Sequence, residues 1–253
     1  MQFIKPLLGL ALAGLLSACA ALPPGERDPR DRFERTNRAI YRFNDSLDRN
    51  VAKPVAKAYV KVTPRPVRSG VSNFYNNLTY PTVIVNSLLQ GKIKHFFSDT
   101  ARLVVNTTIG IGGLFDPASQ IGLASHDEDF GQTLGKWGMP SGPYLVLPFL
   151  GPSTVRDGVG LVGDQFSEPQ YYLVNDWRTR MGLTLGSLLD TRASLLGADE
   201  VLADSYDPYA FMRNAYLQRR DFLVKDGTAP TEEEFEIFED EEAPAAPAAQ
   251  TPQ

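Results

Sequence analysis

The side chains that could carry chemistry are few, because the chain has two histidines and one cysteine. His126 opens an acidic run, His126-Asp127-Glu128-Asp129, whose oxygens could ligate a cation. The run lacks the spacing of a metal site such as His-Glu-x-x-His, which favours a solvated acidic loop. His95 lies in an amphipathic segment and is predicted to be a surface or groove residue.

Motifs for nucleophilic catalysis and for phosphate binding are incomplete. The run Gly151-Pro-Ser-Thr-Val155 lacks the second glycine of a nucleophile elbow, and Ser153 suits the N-cap of a helix that begins near Val155. The run Gly110-Ile-Gly-Gly113 is not followed by the Lys-Ser or Lys-Thr pair of a phosphate loop. The sequence therefore predicts no catalytic residue, no metal site and no cofactor.

The single cysteine, Cys19, follows a segment that is typical of an export signal. Lys5 supplies a positive charge, and the apolar run Leu7–Leu16 is too short to cross a membrane, which takes about 20 residues. The run Leu16-Ser-Ala-Cys19 resembles the lipobox of bacterial lipoproteins, in which the signal is cut before an acylated cysteine. Ala20 follows where an aspartate would imply retention in the inner membrane, so this resemblance implies sorting to the outer membrane.

Cys19 is therefore predicted to carry a lipid anchor, with a signal peptide over residues 1–18 and a lipidated linker over residues 19–27. Two or more acyl chains hold a protein stably on a membrane, whereas one chain binds marginally. The alternative is a buried structural thiol behind an ordinary signal peptide. An internal disulfide is excluded, because Cys19 has no second cysteine to pair with.

The C-terminal end has a different composition from the rest of the chain. From Asp226 onward there are nine acidic residues and no basic one, so we predict a disordered acidic tail over residues 228–253. This tail is either a solvated segment without a role or a docking segment for a partner. Residues 19–225 carry a net charge of +3, which is compatible with anionic lipid headgroups and too low for a nucleic-acid-binding surface.

Helical periodicity recurs throughout residues 28–227. The pairs Asp28-Pro29 and Asp207-Pro208 suit helix starts, and Pro54 predicts the end or a kink of a helix. Apolar stripes at helical spacing predict eight amphipathic helices. They cover Phe33–Val51, Val55–Val62, Val67–Leu78, Thr82–Leu89, Ile93–Ile109, Val155–Phe166, Trp177–Leu196 and Tyr209–Leu223. Strand signals are sparse, with one extended-looking segment at Tyr144–Leu147. The predicted fold class is therefore mostly α, in a single domain.

Two apolar stretches, Ile109–Ala124 and Pro143–Pro152, are irregular and rich in glycine or proline. Loops are usually polar and lie at the surface, whereas apolar irregular backbone tends to be buried, to face a membrane or to line a cavity. After the signal, no apolar run is long enough to span a bilayer. Together these stretches indicate helices embedded in one membrane leaflet, with ordinary core packing as the alternative for each stripe.

Several motifs follow one another from Asp28 to Gly227. They are Asp28-Pro29, Phe43-Asn44, Asn86-Ser-Leu-Leu-Gln-Gly-Lys92, Asn106-Thr-Thr-Ile-Gly110, Asp129-Phe-Gly-Gln-Thr-Leu-Gly-Lys-Trp-Gly138, Gly142-Pro-Tyr-Leu-Val-Leu-Pro148 and Tyr206-Asp-Pro-Tyr209. In this order they resemble the MlaA/VacJ family of lipoproteins, and the resemblance covers nearly the whole body of the chain.

The resemblance implies a ring-like, all-helical protein in the inner leaflet of the outer membrane, with an amphipathic central channel. Such a protein would associate with a trimeric porin and remove phospholipid that has strayed into the outer leaflet. It would pass this phospholipid to an MlaC-like periplasmic carrier and so maintain lipid asymmetry. No cofactor and no covalent chemistry is implied.

The resemblance also directs attention to particular residues of this chain. Phe43-Asn44 matches a family motif near the channel and is expected to set its open or closed state. The other residues that we predict to line the channel belong to the glycine-rich loop and to the segment before Trp177. They are Gly110, Gly112, Gly113, Leu114, Phe115, Tyr171, Tyr172 and Leu173.

Two other functions stay open at this point. A structural lipoprotein that scaffolds envelope proteins would have a dry, closed core without a channel. A lipid hydrolase would need Ser153 near His126 and a carboxylate. Neither alternative explains the apolar glycine-rich loops.

Overall fold

The computed structural model describes residues 28–227. The predicted signal peptide, Cys19 with its linker, and the acidic tail over residues 228–253 lie outside the described residues. The described part is mostly helical, which confirms the predicted class. Its principal elements are α1 (Glu34–Leu47), α2 (Lys53–Val62), α3 (Arg65–Leu89), α4 (Ile93–Thr108), α5 (Pro117–Gln120), α6 (Phe130–Lys136), β1 (Tyr144–Leu147), β2 (Gly151–Thr154), α7 (Val155–Asp164), α8 (Gln170–Leu173), α9 (Trp177–Ser194), α10 (Asp199–Ala203) and α11 (Pro208–Val224).

Helices α1 and α2 are joined without a break by a π-helical turn over Asp48–Ala52. Pro54 lies in the first turn of α2, so the wider turn comes directly before the residue that lacks a backbone N–H. The prediction that Asp28-Pro29 starts the first helix is wrong. Asp28 instead closes a short turn by accepting a hydrogen bond from the Arg30 amide (2.9 Å), and the helix begins at Glu34.

Helix α3 runs through Pro81, so the two helices predicted for residues 67–78 and 82–89 are one helix. Contacts with α4 hold both sides of the proline in place. The Tyr80 hydroxyl donates to Asp99 of α4 (2.9 Å), and Ser87 donates to the same carboxylate (3.3 Å). Tertiary packing therefore outweighs the local cost of an interior proline.

Strands β1 and β2 form an antiparallel hairpin in which Tyr144 pairs with Thr154. The extended conformation of β1 was predicted, but its partner was not, because Pro152 and Gly151 disfavour a strand. The predicted N-cap role of Ser153 is also wrong. Ser153 is buried in β2, and Thr154 caps α7 by accepting from the Asp157 amide (3.1 Å).

Helices α9 and α11 begin as the sequence predicts. Asp176 caps α9 by accepting from the Thr179 amide (2.9 Å), and Asp207 caps α11 by accepting from the Tyr209 amide (3.1 Å). Gly160 and Gly163 of α7 allow close packing against α6. A Cβ on Gly160 would lie 2.5 Å from the Gly131 nitrogen, so only glycine allows the two backbones to approach this closely.

Contacts between successive neighbours join the elements into a closed circuit. From α1 the circuit runs through β1, β2, α7, α6, α3, α9 and α2, and it returns to α1 through the π-helical turn. Helix α4 packs on α3, and α11 packs on α6 and β2. Within residues 28–227 no helix combines the length and hydropathy needed to cross a membrane.

The distribution of polar and apolar side chains is the reverse of that in a water-soluble domain. Among residues 28–227, sixteen buried side chains are polar or charged and seven are hydrophobic. Thirty-eight large hydrophobic side chains are exposed, including Phe166 at 75% and Leu173 at 77%. Apolar area exposed on this scale marks a surface that is covered by something other than water.

Candidate functional site

The glycine-rich loop between α4 and α5 is held in place by an ion pair between the buried Arg102 and the half-buried Asp116. Arg102 of α4 donates to Asp116 (2.6 Å) and to the Leu123 carbonyl (2.6 Å). Asn106 donates to the same aspartate (3.0 Å), so both ends of the loop are fastened to α4. These side-chain hydrogen bonds stabilise the irregular backbone of the loop, which is part of no helix or strand.

Within this loop, Gly110 and Gly113 are required by the backbone. A Cβ on Gly110 would lie 2.4 Å from two carbonyl oxygens. Gly113 has φ +88° and packs on the Asn77 side chain of α3, where a Cβ would meet it at 2.4 Å. The loop therefore presses its glycines against α3 and α4, while Leu114 and Phe115 are exposed.

The segment before α9 presents Tyr171, Tyr172 and Leu173 to the outside. Beside it lies a cavity of about 280 Å³, which is lined by Gln170, Tyr171, Trp177, Arg180, Met181 and Thr184. The Arg180 guanidinium lies 6.0 Å from the Tyr171 ring centroid, at the edge of cation–π range. The site thus combines apolar surface with one cation.

Phe43 and Asn44 lie on α1, against the turn of the β hairpin. The Asn44 side chain donates to the Leu147 carbonyl (2.9 Å) and accepts from the Phe149 amide (2.9 Å). The Phe43 ring meets the Phe149 ring edge-on, with centroids 5.4 Å apart. Asn44 therefore latches the turn, and Phe43 covers it.

The three groups of predicted channel residues stand on different elements. The loop packs on α3 and α4, the tyrosine segment packs beside α9, and Phe43-Asn44 packs on the hairpin. Among the hydrogen bonds and ring contacts of residues 28–227, none joins one group to another. Their role in a channel stays a prediction.

A polar face of α3 was missed by the sequence reasoning, which followed the apolar stripe through Val67 and Val71. A second, open cavity of about 360 Å³ lies on that face. Its lining residues are spaced at i, i+3, i+4, i+7 and i+8, and this spacing was the signal that could have revealed it. They are Arg65, Arg68, Ser69, Ser72 and Asn73.

The acidic run that begins at His126 is fully solvated only at Asp127, so the prediction of a solvated acidic loop is wrong for the rest of the run. Glu128 is buried and accepts from Lys92 (2.7 Å), and the His126 ring stacks on His95 with centroids 3.8 Å apart. His126 Nδ1 lies 2.8 Å from Asp99 of α4. The contacts of His126 with His95 and Asp99 hold the run against α4, and the Glu128–Lys92 ion pair holds it against the residue before that helix.

Asp129 ends the same run and belongs to a buried charge cluster. Arg220 of α11 donates to Asp129 (2.9 Å) and to Asp157 of α7 (2.9 Å), and Tyr216 donates to Asp157 (2.8 Å). Burial works to raise the pKa of both aspartates, but the hydrogen bonds and positive charge of Arg220 outweigh it and hold both pKa values below the usual range.

Asp164, at the end of α7, has a different environment. It accepts from the Phe130 amide (2.9 Å) and from Asn86 (3.0 Å), and no ion pair to it is present in residues 28–227. Burial raises its pKa to about 6, assisted by the negative charge of Asp129. Asp164 is thus a carboxyl group that titrates near neutrality.

The arrangement needed for a hydrolase is not formed. The Ser153 hydroxyl donates to the Thr154 carbonyl (3.2 Å), whereas His126 pairs with Asp99. Ser153 and His126 are therefore engaged with different partners and do not form a nucleophile–base pair. Across residues 28–227, no group of three or more His, Cys, Asp or Glu side chains is arranged to hold a metal ion.

The profile of the MlaA lipoprotein family matches residues 29–223. The chain belongs to this family. All predicted channel residues fall within the matched range, whereas Cys19 precedes it.

Relatives in several bacteria resemble the chain over most of its length. The intermembrane phospholipid transport system lipoprotein MlaA of Escherichia coli (strain K12) is 37% identical over 223 residues, which cover 87% of this chain and 88% of the relative. The MlaA lipoprotein of Haemophilus influenzae is 34% identical over 227 residues, which cover 87% of this chain and 89% of the relative. An uncharacterized protein of Rickettsia typhi is 36% identical over 197 residues, which cover 77% of this chain and 78% of the relative.

A solved structure has the same fold. It was described under the heading "Structural basis for maintenance of bacterial outer membrane lipid asymmetry". Its TM-score is 0.70 at 37% identity, and the match covers 78% of this chain and all of that one. The circuit of helices and the hairpin described above are thus a fold of the MlaA lipoprotein family.

Proposed function

We propose that this protein is an outer-membrane lipoprotein of an intermembrane phospholipid transport system. It removes phospholipid that is mislocalised in the outer leaflet and passes it towards the periplasm, which maintains the lipid asymmetry of the outer membrane. Cys19 carries the lipid anchor, and the helices lie in the periplasm-facing leaflet. The names of the Escherichia coli and Haemophilus influenzae relatives, both lipoproteins of such a system, support this proposal.

The observation that carries the proposal is the reversed distribution of side chains. A protein in water buries apolar area because each square ångström removed from water contributes about 25 cal/mol. Here the buried hydrophobic cluster is small, most buried side chains are polar or charged, and the outer faces carry Phe166, Leu173 and many similar side chains. Acyl chains cover such faces without any loss of hydrogen bonds, so one leaflet of a membrane is the environment that fits them.

Phospholipid movement needs a polar path for the headgroup beside an apolar surface for the tails. The polar face of α3 and the exposed Leu114 and Phe115 of the loop packed on it supply these two surfaces side by side. Tyr171, Tyr172 and Leu173 extend the apolar surface, and Gly110, Gly112 and Gly113 set the loop that shapes it. Asn44 and Phe43 control the hairpin turn and through it the open or closed state of the channel.

The partners follow from the same chemistry. A lipoprotein confined to one leaflet reaches the other leaflet through a partner that spans the membrane, and we propose a trimeric porin for this role. An extracted phospholipid cannot cross the periplasm alone, because its acyl chains must stay out of water. We therefore propose that an MlaC-like soluble carrier receives it. The protein itself catalyses no covalent step in this scheme.

The test is the amount of phospholipid in the outer leaflet of a deletion strain. The strain is complemented with the wild-type gene or with the Cys19→Ala variant. Deletion should raise surface phospholipid, and the anchored protein alone should restore the normal level. If deletion leaves the outer leaflet unchanged, the transport proposal fails and a scaffolding lipoprotein becomes the better account.

The channel residues need a separate test in the same strain. Gly113→Ala would force the loop away from Asn77, because the added Cβ would lie 2.4 Å from that side chain. We expect this variant to leave surface phospholipid high. Gly182→Ala on α9 is the matched control, since no atom lies within 4 Å of its added Cβ. Normal asymmetry with Gly113→Ala would remove the loop from the channel wall.

A further inference from the structure

The open cavity of about 360 Å³ is built on the first two turns of α3. Arg65, Arg68, Ser69, Ser72 and Asn73 project from one face of this helix and line it. Its volume falls within the range of about 300–1,000 Å³ that small-molecule sites occupy. Every lining residue offers a hydrogen-bond donor, and two of the five are cationic.

The two cavity arginines differ from most other arginines of the protein because neither is in an ion pair among residues 28–227. Arg102, Arg192, Arg213 and Arg220 each have a carboxylate within 3.4 Å. The Nε atom of Arg68 is buried without a hydrogen-bond partner. The Nε atom of Arg220 is also unpaired, but the other two guanidinium nitrogens of Arg220 are bound to carboxylates, whereas no carboxylate pairs with Arg68 among the described residues. A buried donor left unpaired costs about 1–3 kcal/mol, so a site that retains one is suited to a ligand that supplies the acceptor.

The surroundings of the cavity favour an anion with apolar substituents. The first turn of α3 contains no acidic residue, and Asp190 of α9, which accepts from Ser72 (2.7 Å), is the carboxylate bonded to the lining. Two guanidinium groups against one carboxylate leave the site positive. Val62 and Val67, which flank the cavity in sequence, are 76% and 54% exposed.

We propose that this cavity binds a phosphate group, and that the phosphate is the headgroup phosphodiester of a phospholipid whose acyl chains lie on the adjoining apolar surface. Guanidinium groups match phosphate because their planar donors pair with two oxygens at once. Ser69 and Asn73 supply neutral donors to the remaining oxygens. This inference rests on the proposed function and names the part of the substrate that the protein recognises.

The test measures binding to the full-length lipidated protein in detergent by calorimetry. The ligands are dihexanoyl phosphatidylglycerol, dihexanoyl glycerol, which lacks the phosphate, and inorganic phosphate. The variant Arg65→Gln/Arg68→Gln should weaken binding of the phospholipid about tenfold or more and leave binding of dihexanoyl glycerol unchanged. The matched control, Arg32→Gln/Arg42→Gln, removes the same charge from exposed positions of the chain and should bind both lipids as the wild type does.

Each other outcome overturns the inference in a distinct way. Equal binding of phospholipid by wild type and variant rules out the site but leaves the proposed function intact. Equal loss of both lipids means that the arginines support the fold rather than the phosphate. Arg68→Lys separates these effects, since it keeps the charge and should recover only part of the affinity. Binding of inorganic phosphate without phospholipid would assign the site to a soluble anion and count against the proposed function as well.

Discussion

Arginine is used in opposite ways in two regions of this molecule, near the end of α11 and at the start of α3. Near the end of α11, Arg220 is buried between Asp129 and Asp157, with donors 2.9 Å from each carboxylate. At the start of α3, Arg65 and Arg68 line an open cavity and are in no ion pair among the described residues. The paired arginine forms part of the core, and the unpaired ones are available to a ligand.

The difference follows from the apolar exterior. A domain whose outer faces are covered by acyl chains gains little stability from burying apolar side chains, because lipid tails are as apolar as leucine. Its interior can instead be held by polar groups that bind one another, as Arg220 binds Asp129 and Asp157. Arginines that line a cavity and have no carboxylate partner among the described residues therefore differ from these structural ones.

The largest expected effect is the loss of the paired arginine. Arg220→Met would leave the half-buried Asp129 without a counter-charge and the buried Asp157 with Arg156 alone (3.1 Å), so we expect the free energy of unfolding to fall by up to about 3–5 kcal/mol. The neighbouring Arg219→Met breaks only the exposed pair with Asp127 and should cost less than about 1 kcal/mol. Thermal unfolding in detergent measures both, and similar losses would contradict the contrast between core and surface.

The next effect concerns the α3–α9 interface beside the cavity. A Cβ added to Gly186 would lie 2.0 Å from the Tyr75 hydroxyl oxygen, which is too close for both atoms. A Cβ added to Gly182 would have open space around it. Gly186→Ala should be about 1–3 kcal/mol less stable than Gly182→Ala, because the tyrosine must move. Gly182→Ala should itself stabilise α9 by up to about 1 kcal/mol. Equal melting temperatures for the two variants would show that Tyr75 can move away from α9 without a measurable cost in stability.

A smaller effect is expected at the hairpin latch. Asn44→Ala removes two hydrogen bonds to the turn and should cost about 1–2 kcal/mol. Asn50→Ala is the matched control, since its side chain bonds only within its own helix, to Ser46. Hydrogen exchange of the Phe149 amide should quicken in the first variant and not in the second. An unchanged rate would remove Asn44 as the latch.

The last effect is a pH dependence. The pKa of Asp164 is raised to about 6, so the folded protein holds this proton more tightly than the unfolded chain does. Its contribution to stability is full below the unfolded pKa, near 4, and is lost as pH rises through about 6. Asp164→Asn should therefore gain stability relative to wild type as pH rises from 4.5 to 7.5. Parallel stability curves over that range would contradict the assignment.

Much of the helical framework could be predicted from local signals. Asp207-Pro208 begins a helix where capping chemistry predicts, the helix predicted from Trp177 begins at that residue, and the stripe through Ile93 and Phe97 gives α4. The predicted break between Leu78 and Thr82 is wrong, because the helix through Pro81 is held by long-range contacts with Asp99, which no local signal carries.

The candidate site was less accessible to sequence reasoning. Arg220 and Asp129 are 91 positions apart, so their pairing depends on the fold. Without this knowledge, paired and unpaired arginines look alike in a sequence. The sequence singles out the apolar loop around Leu114 as unusual, but it does not single out the polar face of α3 beside that loop.

The central claim is that the exposed apolar faces lie against acyl chains. Trp177 tests it directly, because it is 63% exposed and borders the cavity beside Tyr171. In the Trp137→Phe variant Trp177 is the remaining tryptophan, and its fluorescence can be measured in bilayers. Phospholipids brominated on the acyl chains should quench this fluorescence, and aqueous iodide should not. Quenching by iodide without quenching by the brominated lipids would contradict a membrane-embedded protein.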